Sequence, residues 1–184
     1  MTKSIFKLVQ VLAVVFISTQ SFAQKISSKT SNINFYSHTA IEDIKANNTA
    51  SVSVLDPTNG DIVFSVPMQS FEFEKALMQK HFNSPDFLDT KAEPKAKLVG
   101  KITNLAQVNF KKDGTYTADV AGDMTIKGVT KPFAAKVTVT IKGSSINVES
   151  KFDITLEDYG IAFKKGKPST NIAKTIQTTV LAEY

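Results

Sequence analysis

The fold is decided by residues 114–155, which read GTYTADVAGDMTIKGVTKPFAAKVTVTIKGSSINVESKFDIT. Apolar residues recur at every second position in three runs, which begin at Tyr116, Phe133 and Ile146. Glycine-containing turns separate the runs at 127–132 and 142–145. A period of two is that of a β-strand with one face buried and the other in water. The stretch therefore predicts three long antiparallel strands that tight turns join in sequential order.

The same alternation predicts further strands on both sides of this stretch. Residues 50–55 and 61–67 flank Asp56–Pro57–Thr58–Asn59–Gly60, a hairpin turn in which Gly60 supplies a positive φ. Other strand-like segments are 33–37, 97–110 and 175–182, with a further turn at 111–114. About eight antiparallel strands in sequence order predict a mainly β protein with an up-and-down β-barrel, because closure removes the open edges of a long sheet.

One segment replaces the strand pattern with a helical one. Residues 70–100 read SFEFEKALMQKHFNSPDFLDTKAEPKAKLVG. At about 100° per residue, one arc of a helix collects Phe73, Leu77, Met78, His81 and Phe82. This spacing predicts an amphipathic helix of about two and a half turns, with Ser70 as its N-cap and Asn83–Ser84–Pro85 as its end. We expect this short helix to cover one end of the barrel.

Residues 1–23 have the pattern of a secretory signal peptide. Lys3 and Lys7 form the basic region, residues 8–17 form the apolar run, and Ser21–Phe22–Ala23 is a small-x-small cleavage site before Gln24. The apolar run is shorter than the about 20 residues that span a bilayer. The alternative is a buried N-terminal helix or strand. We predict one domain over 24–184, periplasmic or secreted and not an integral membrane protein.

Composition excludes several classes of function. The chain of 184 residues has no cysteine, which rules out zinc–thiolate sites, disulfides and cysteine nucleophiles. Its positive charge comes from scattered lysines without any arginine, so no nucleic-acid partner is predicted. The only histidines, His38 and His81, lack the spacing of a metal-binding pair, so no metal is predicted.

Catalytic motifs are also missing from the sequence. There is no G-x-S-x-G nucleophile elbow and no glycine-rich phosphate loop. We therefore predict a protein that is not an enzyme and has no cofactor. A hydrolase of unknown type stays open as the third interpretation.

Residues 122–133, GDMTIKGVTKPF, resemble the signature of the YceI-like family, G-D-L-T-I-H-G-V-T-K-P. Met124 replaces a leucine, and Lys127 stands where the family often has histidine, so no role of that histidine is carried over. Residues 70–102 and Asp158–Tyr159–Gly160–Ile161 also resemble the family, whereas Ala92–Glu93–Pro94 lacks an aromatic residue that commonly precedes the proline. The resemblance extends over essentially all of residues 24–184.

This resemblance implies an exported protein with an elongated, lipocalin-like antiparallel β-barrel and a helical cover. Members of the family bind a long isoprenoid or a related lipid inside the barrel. A long-chain lipid is therefore the implied ligand and the expected partner. The oligomeric state stays open, with a dimer as one alternative.

Phenylalanine, the most frequent aromatic residue, supplies most of the candidate cavity wall, because it brings apolar area without a polar group. The candidate lining residues are Phe35, Phe64, Phe71, Phe73, Leu77, Met78, His81, Phe82, Phe87, Phe133 and Phe152. His81 would contact a ligand head group at the barrel mouth, or it is an ordinary boundary residue. If the phenylalanines instead fill a solid core, the runner-up function applies: a structural or partner-binding envelope protein without a small ligand.

A basic loop precedes the last predicted strand. It reads Phe163–Lys164–Lys165–Gly166–Lys167–Pro168. Such a loop would contact an anionic head group or a membrane surface, or it is simply solvated.

Overall fold

A single antiparallel sheet forms most of the chain in the computed structural model, which describes residues 25–161 and 171–184. Within these residues, strands β1 to β11 span Ile26–Ser27, Thr30–His38, Asp43–Asn48, Val52–Leu55, Asp61–Pro67, Glu72–Phe73, Lys95–Ile102, Gly114–Ile126, Val129–Lys142, Ser145–Thr155 and Thr175–Glu183. The helix α1 spans Ala76–Asn83, and short 3₁₀ turns cover Met68–Ser70, Leu105–Gln107 and Leu156–Tyr159.

The strand order is β1-β4-β5-β7-β8-β9-β10-β11-β2-β3-β6, so its long middle part is an up-and-down meander. Only Ser28 and Lys29 separate β1 from β2, yet β1 pairs with β4 and β2 pairs with β11. This one segment brings the two sides of the sheet together and curls the sheet into a barrel-like wall. The predicted antiparallel β-fold is confirmed. The strand count rises to eleven because β1, β3 and β6 have no clear alternation in the sequence.

Alternating burial along the long strands builds the core. In β9, Val137 and Val139 are buried, whereas Lys136 and Thr138 on the other face are exposed. The inward rows of neighbouring strands pack together into one apolar cluster. The sequence pattern of residues 114–155 is confirmed, since a strand with one wet face can bury only every second residue.

The first hairpin forms as predicted, and the next one differs. Leu55 pairs with Ile62, and Gly60 has a φ of 80°. The strand expected over 97–110 ends at Ile102 because Asn104 redirects the chain. The side chain of Asn104 donates to the carbonyl of Thr117 and accepts the N–H of Asp119 at 2.8 Å. A longer connection over 103–113 therefore replaces the predicted tight turn.

The helix is shorter than predicted. It begins at Ala76, and Ser70 is not its N-cap, because Ser70 closes a separate 3₁₀ turn. Phe73 lies in β6 rather than on the helix, where it pairs with Ala46 of β3. The open edge of β3 pairs with Glu72 and Phe73, so these two residues join the sheet and the helix starts after them. The predicted end is confirmed, since α1 stops at Asn83.

Two sequence predictions concern residues outside this description. The signal peptide over 1–23 and the basic loop over 163–168 lie outside the described residues. Within 25–161 and 171–184, no helix has both the length and the apolar character that crossing a membrane requires.

Candidate functional site

A cavity of about 990 Å³ lies inside the curled sheet. This volume is at the upper end of the roughly 300–1,000 Å³ that is typical of small-molecule sites. Inward residues of β2, β5 and β7 to β11 form its wall, and the segment between β5 and β7, which includes α1, covers it. The exposed residues Leu77, Lys80 and His81 line it as well, so its mouth lies beside the helix.

The deeper wall is mainly apolar. Its buried polar side chains, among the residues described, are Ser37, Ser150 and Thr178. The hydroxyl of Ser37 accepts the N–H of Ala173 at 2.9 Å, and that of Ser150 donates to the carbonyl of Lys136 at 2.9 Å. Two of the three hydroxyls are therefore already engaged, and a molecule in the cavity would meet mostly hydrocarbon.

Within the described residues, five phenylalanines form an aromatic cluster with Phe82 at its centre. Its ring lies 4.9 Å from that of Phe73, 5.5 Å from Phe71, 5.9 Å from Phe35 and 6.4 Å from Phe87, measured between centroids. Phe82 is the buried residue of α1, so this cluster fastens the helix to the sheet. Ring pairs at such distances add roughly 0.5–1.5 kcal/mol each beyond their buried area.

A second aromatic pair extends this apolar wall. Phe133 and Phe152 meet edge to face with centroids 4.8 Å apart. In the strand register, Thr178 of β11 pairs with Phe35 on one side and with Phe152 on the other. The aromatic cluster and the Phe133–Phe152 pair are thus linked across three neighbouring strands.

All the residues predicted from the sequence to line a cavity do line this one, at three depths. Buried ones are Phe64, Phe71 and Phe82. Half-buried ones are Phe35, Phe73, Met78, Phe87, Phe133 and Phe152. Leu77 and His81 line the cavity from exposed positions, because the short helix turns only Phe82 fully inward.

Sequence reasoning missed other parts of the wall. Ile176, Thr178 and Val180 of β11 line the cavity together with Ile33 of β2. The alternation of the last strand is the sequence signal for the β11 residues, but none of the four is a phenylalanine or lies on the helical arc.

An ion pair spans the mouth of the cavity. The Lys75 ammonium lies 2.7 Å from a carboxylate oxygen of Glu42, which belongs to the turn between β2 and β3. The Asn171 amide donates to the other Glu42 oxygen at 3.4 Å. The hydrogen bond from Lys75 lowers the pKa of Glu42, and the same bond raises the pKa of Lys75. Three segments of the chain thus meet at one carboxylate.

The motif at 122–133 lies at a corner of the sheet. Lys127 and Gly128 form the turn between β8 and β9, with φ of 50° and 72°. The Lys127 ammonium donates to the carbonyl of Gly160 at 3.2 Å, and a Cβ on Gly128 would lie 3.0 Å from a carboxylate oxygen of Glu93. Segments that are far apart in the sequence therefore meet here, and their contacts are structural.

His38 lies on the outer surface rather than in the cavity. Its Nδ1 is 2.6 Å from a carboxylate oxygen of Asp43, and both side chains are exposed. Across residues 25–161 and 171–184, no three side chains of histidine, aspartate or glutamate gather as a metal site.

Comparison with known proteins gives the family of the chain. The model of the YceI-like domain family matches residues 24–184. A UPF0312 protein of Pseudomonas fluorescens is 33% identical over 128 residues, which are 66% of this chain and 64% of that protein. A UPF0312 protein of Pseudomonas putida is 36% identical over 102 residues, 52% of this chain and 48% of that one. The matched region thus spans about half to two thirds of these curated relatives.

Solved structures share the fold at low sequence identity. BcnA of Burkholderia cenocepacia has a TM-score of 0.70 at 18% identity, covering 84% of this chain and 96% of that one. A polyisoprenoid binding domain from Saccharophagus degradans, implicated in plant cell wall breakdown, has 0.73 at 14%, covering 86% and 96%. The Campylobacter jejuni YceI protein has 0.56 at 16%, covering 100% and 92%. By its family match and its fold, the chain belongs to the YceI-like family.

Proposed function

We propose that this chain is an exported lipid-binding protein that encloses an isoprenoid-like chain, or another long-chain amphiphile, in its cavity. The observation that carries the proposal is the apolar cavity of about 990 Å³ with its two groups of phenylalanines. Each methylene that leaves water for such a wall contributes about 0.8 kcal/mol. The polyisoprenoid binding domain from Saccharophagus degradans, which has this fold, supports the ligand class.

The ligand would enter with its hydrocarbon end first. Charged side chains, including Glu42, Lys75 and Lys80, lie at the mouth, and the deep wall is mainly apolar. A polar head group buried against that wall would lose its hydrogen bonds to water without full replacement. We infer that the head group stays near the mouth, within reach of His81.

The runner-up function is a structural or partner-binding protein with a filled barrel. An interior cavity of this volume argues for the carrier, because a barrel that serves only as a scaffold gains stability from close packing. We propose binding rather than catalysis, since the cavity wall is mainly apolar.

Lipid extraction tests the binding proposal. The protein, freshly purified without detergent, is analysed by native mass spectrometry, and its organic extract by mass spectrometry. We expect a bound long-chain lipid in both. The carrier function is contradicted, and the structural one favoured, if the extracts hold no lipid and the protein also fails to take up an added long-chain isoprenoid alcohol.

Export is a separate part of the proposal. The basic residues Lys3 and Lys7, the apolar run and the Ser21–Phe22–Ala23 site support cleavage before Gln24. N-terminal sequencing of the protein from the periplasmic or secreted fraction should begin at Gln24. An intact Met1 terminus, or retention of the whole chain in the membrane, would contradict it.

A further inference from the structure

Two exposed apolar side chains lie beside the mouth of the cavity. Ile41 and Leu77 are each 62% exposed and are the most exposed large apolar residues in the described part of the chain. Leu77 lines the mouth itself, and Ile41 precedes Glu42, which also lines it. The ion pair between Glu42 and Lys75 holds the two segments together. The apolar side chains therefore belong to one rim, made by the β2–β3 turn and α1.

Contacts within the described residues leave both side chains largely exposed. The helix needs only Phe82 to fasten it, and the aromatic cluster supplies that contact. The side chain of Leu77 is exposed to water, and this exposure costs free energy that a polar side chain would not cost. Exposed apolar side chains at the border of a cavity offer contact area to a partner or a membrane.

The charges at the mouth favour an anionic partner. Glu42, which is acidic, is neutralised by Lys75. Lys80 and Lys97 also line the cavity, and in the described part of the chain neither forms an ion pair. Asp86 lines it too and has a partner of its own. Lysines beside exposed apolar side chains are the combination that binds the interface of an anionic bilayer.

We propose that this rim, formed by Ile41, Leu77 and Lys80, docks on the surface of a bilayer that contains anionic lipids. The inference rests on the proposed function, because it gives the route by which an apolar ligand enters. A long hydrocarbon chain that crossed water would expose all of its area at once. With the mouth against the bilayer, the chain passes between two apolar environments, and exchange becomes fast.

Transfer kinetics test the docking. The protein is loaded with a pyrene-labelled long-chain alcohol and mixed with vesicles of phosphatidylcholine, alone or with phosphatidylglycerol. We expect a transfer rate that rises in proportion to vesicle concentration, increases with phosphatidylglycerol and falls with added salt. Binding itself is measured by co-flotation of the protein with vesicles in a density gradient. In this assay, Lys80→Glu should lower the fraction bound to the anionic vesicles by about fivefold or more. Leu77→Asp and Ile41→Asp should slow transfer to a similar degree.

Matched variants separate docking from other effects. Leu181→Asp changes an exposed apolar residue of β11, and Lys142→Glu a lysine at the end of β9 away from the cavity; both should behave as wild type. Ile41 does not line the cavity, so Ile41→Asp changes docking without changing the wall. Thermal melts of every variant should agree with wild type, because the substituted side chains are exposed.

The outcomes distinguish this inference from the proposed function. A transfer rate independent of vesicle concentration, or equal effects of rim and control variants, would overturn the docking. Protein that loads the probe but does not bind vesicles would also overturn the docking, and the carrier function would stand. Protein that floats with anionic vesicles through the rim but never loads the probe would support the docking and overturn the carrier function.

Discussion

Gly122 is the residue of the 122–133 motif with the clearest physical role. It faces Gly100 across β7 and β8. A Cβ on Gly122 would collide with the carbonyl oxygen of Val99 and with the Cα of Gly100. The backbone of Gly122 is not in the left-handed region, so close approach, rather than a special φ, explains the glycine.

Gly122→Ala should destabilise the protein by about 1–3 kcal/mol, because two strands must move apart to admit one methyl group. Urea unfolding followed by circular dichroism measures the loss. The control is Gly143→Asn, since Gly143 has a φ of 58° that asparagine tolerates and nothing lies within 4 Å of its missing Cβ. That change should cost clearly less than Gly122→Ala, because asparagine visits the left-handed region more readily than other residues with a side chain. Equal stability of both variants would show that β7 and β8 have room between them.

The buried Tyr184 makes the free energy of unfolding depend on pH in the alkaline range. Burial raises its pKa to about 12, against a hydrogen bond with Ser53 at 2.6 Å that lowers it. The unfolded chain ionises this tyrosine first, near pH 10. Its contribution is therefore complete below about pH 10 and is lost as the pH rises towards about 12.

Tyr184→Phe should remove that loss. Between about pH 9 and about pH 11, wild type should lose about 1–2 kcal/mol more stability than the variant, as measured by urea unfolding at each pH. Comparing the two proteins cancels the titration of the lysines. A parallel decline in both would contradict the burial of an un-ionised Tyr184.

At the scale of elements, α1 depends on one side chain. Phe82 contacts four other rings, whereas Leu77 is 62% exposed. Phe82→Ala should cost about 3–5 kcal/mol, because it empties the centre of the aromatic cluster. Leu77→Ala should change stability by no more than about 0.5 kcal/mol. Thermal or urea unfolding compares the two variants, and a large loss in Leu77→Ala would contradict this orientation of the helix.

At the scale of the whole molecule, the cavity occupies only part of the interior. Val137 and Val139 are both buried inward residues of β9, but Val137 lines the cavity and Val139 does not. Beyond Val137 the strands therefore pack on each other as an ordinary core. The cavity lies at one end of the curled sheet.

A matched pair of enlargements tests this division. Val137→Phe should place its ring in the cavity, leave stability within about 1 kcal/mol and lower the bound lipid measured in organic extracts. Val139→Phe has no space to enter and should cost about 1–3 kcal/mol through overpacking. If both variants are destabilised alike, the cavity beside Val137 is closed in solution.

Elements with a local physical cause can be predicted from the sequence. Alternation over 114–155 predicted three strands and their inward faces, Asn59–Gly60 predicted a turn, and Pro85 predicted the end of the helix. The candidate wall followed from the number of phenylalanines and from resemblance to a family. In each case the residue and its sequence neighbours carry the signal, as with the fixed φ of proline.

Features that depend on residues far apart in the chain emerge only in the folded protein. Phe73 pairs with the edge of β3, and the helix therefore begins only at Ala76. Asn104 ended β7 early by bonding to β8. Leu77 became exposed although its spacing suited an apolar arc. Burial depends on which elements pack against a residue. A periodic sequence specifies which residues share a face, but it does not specify which element packs against that face.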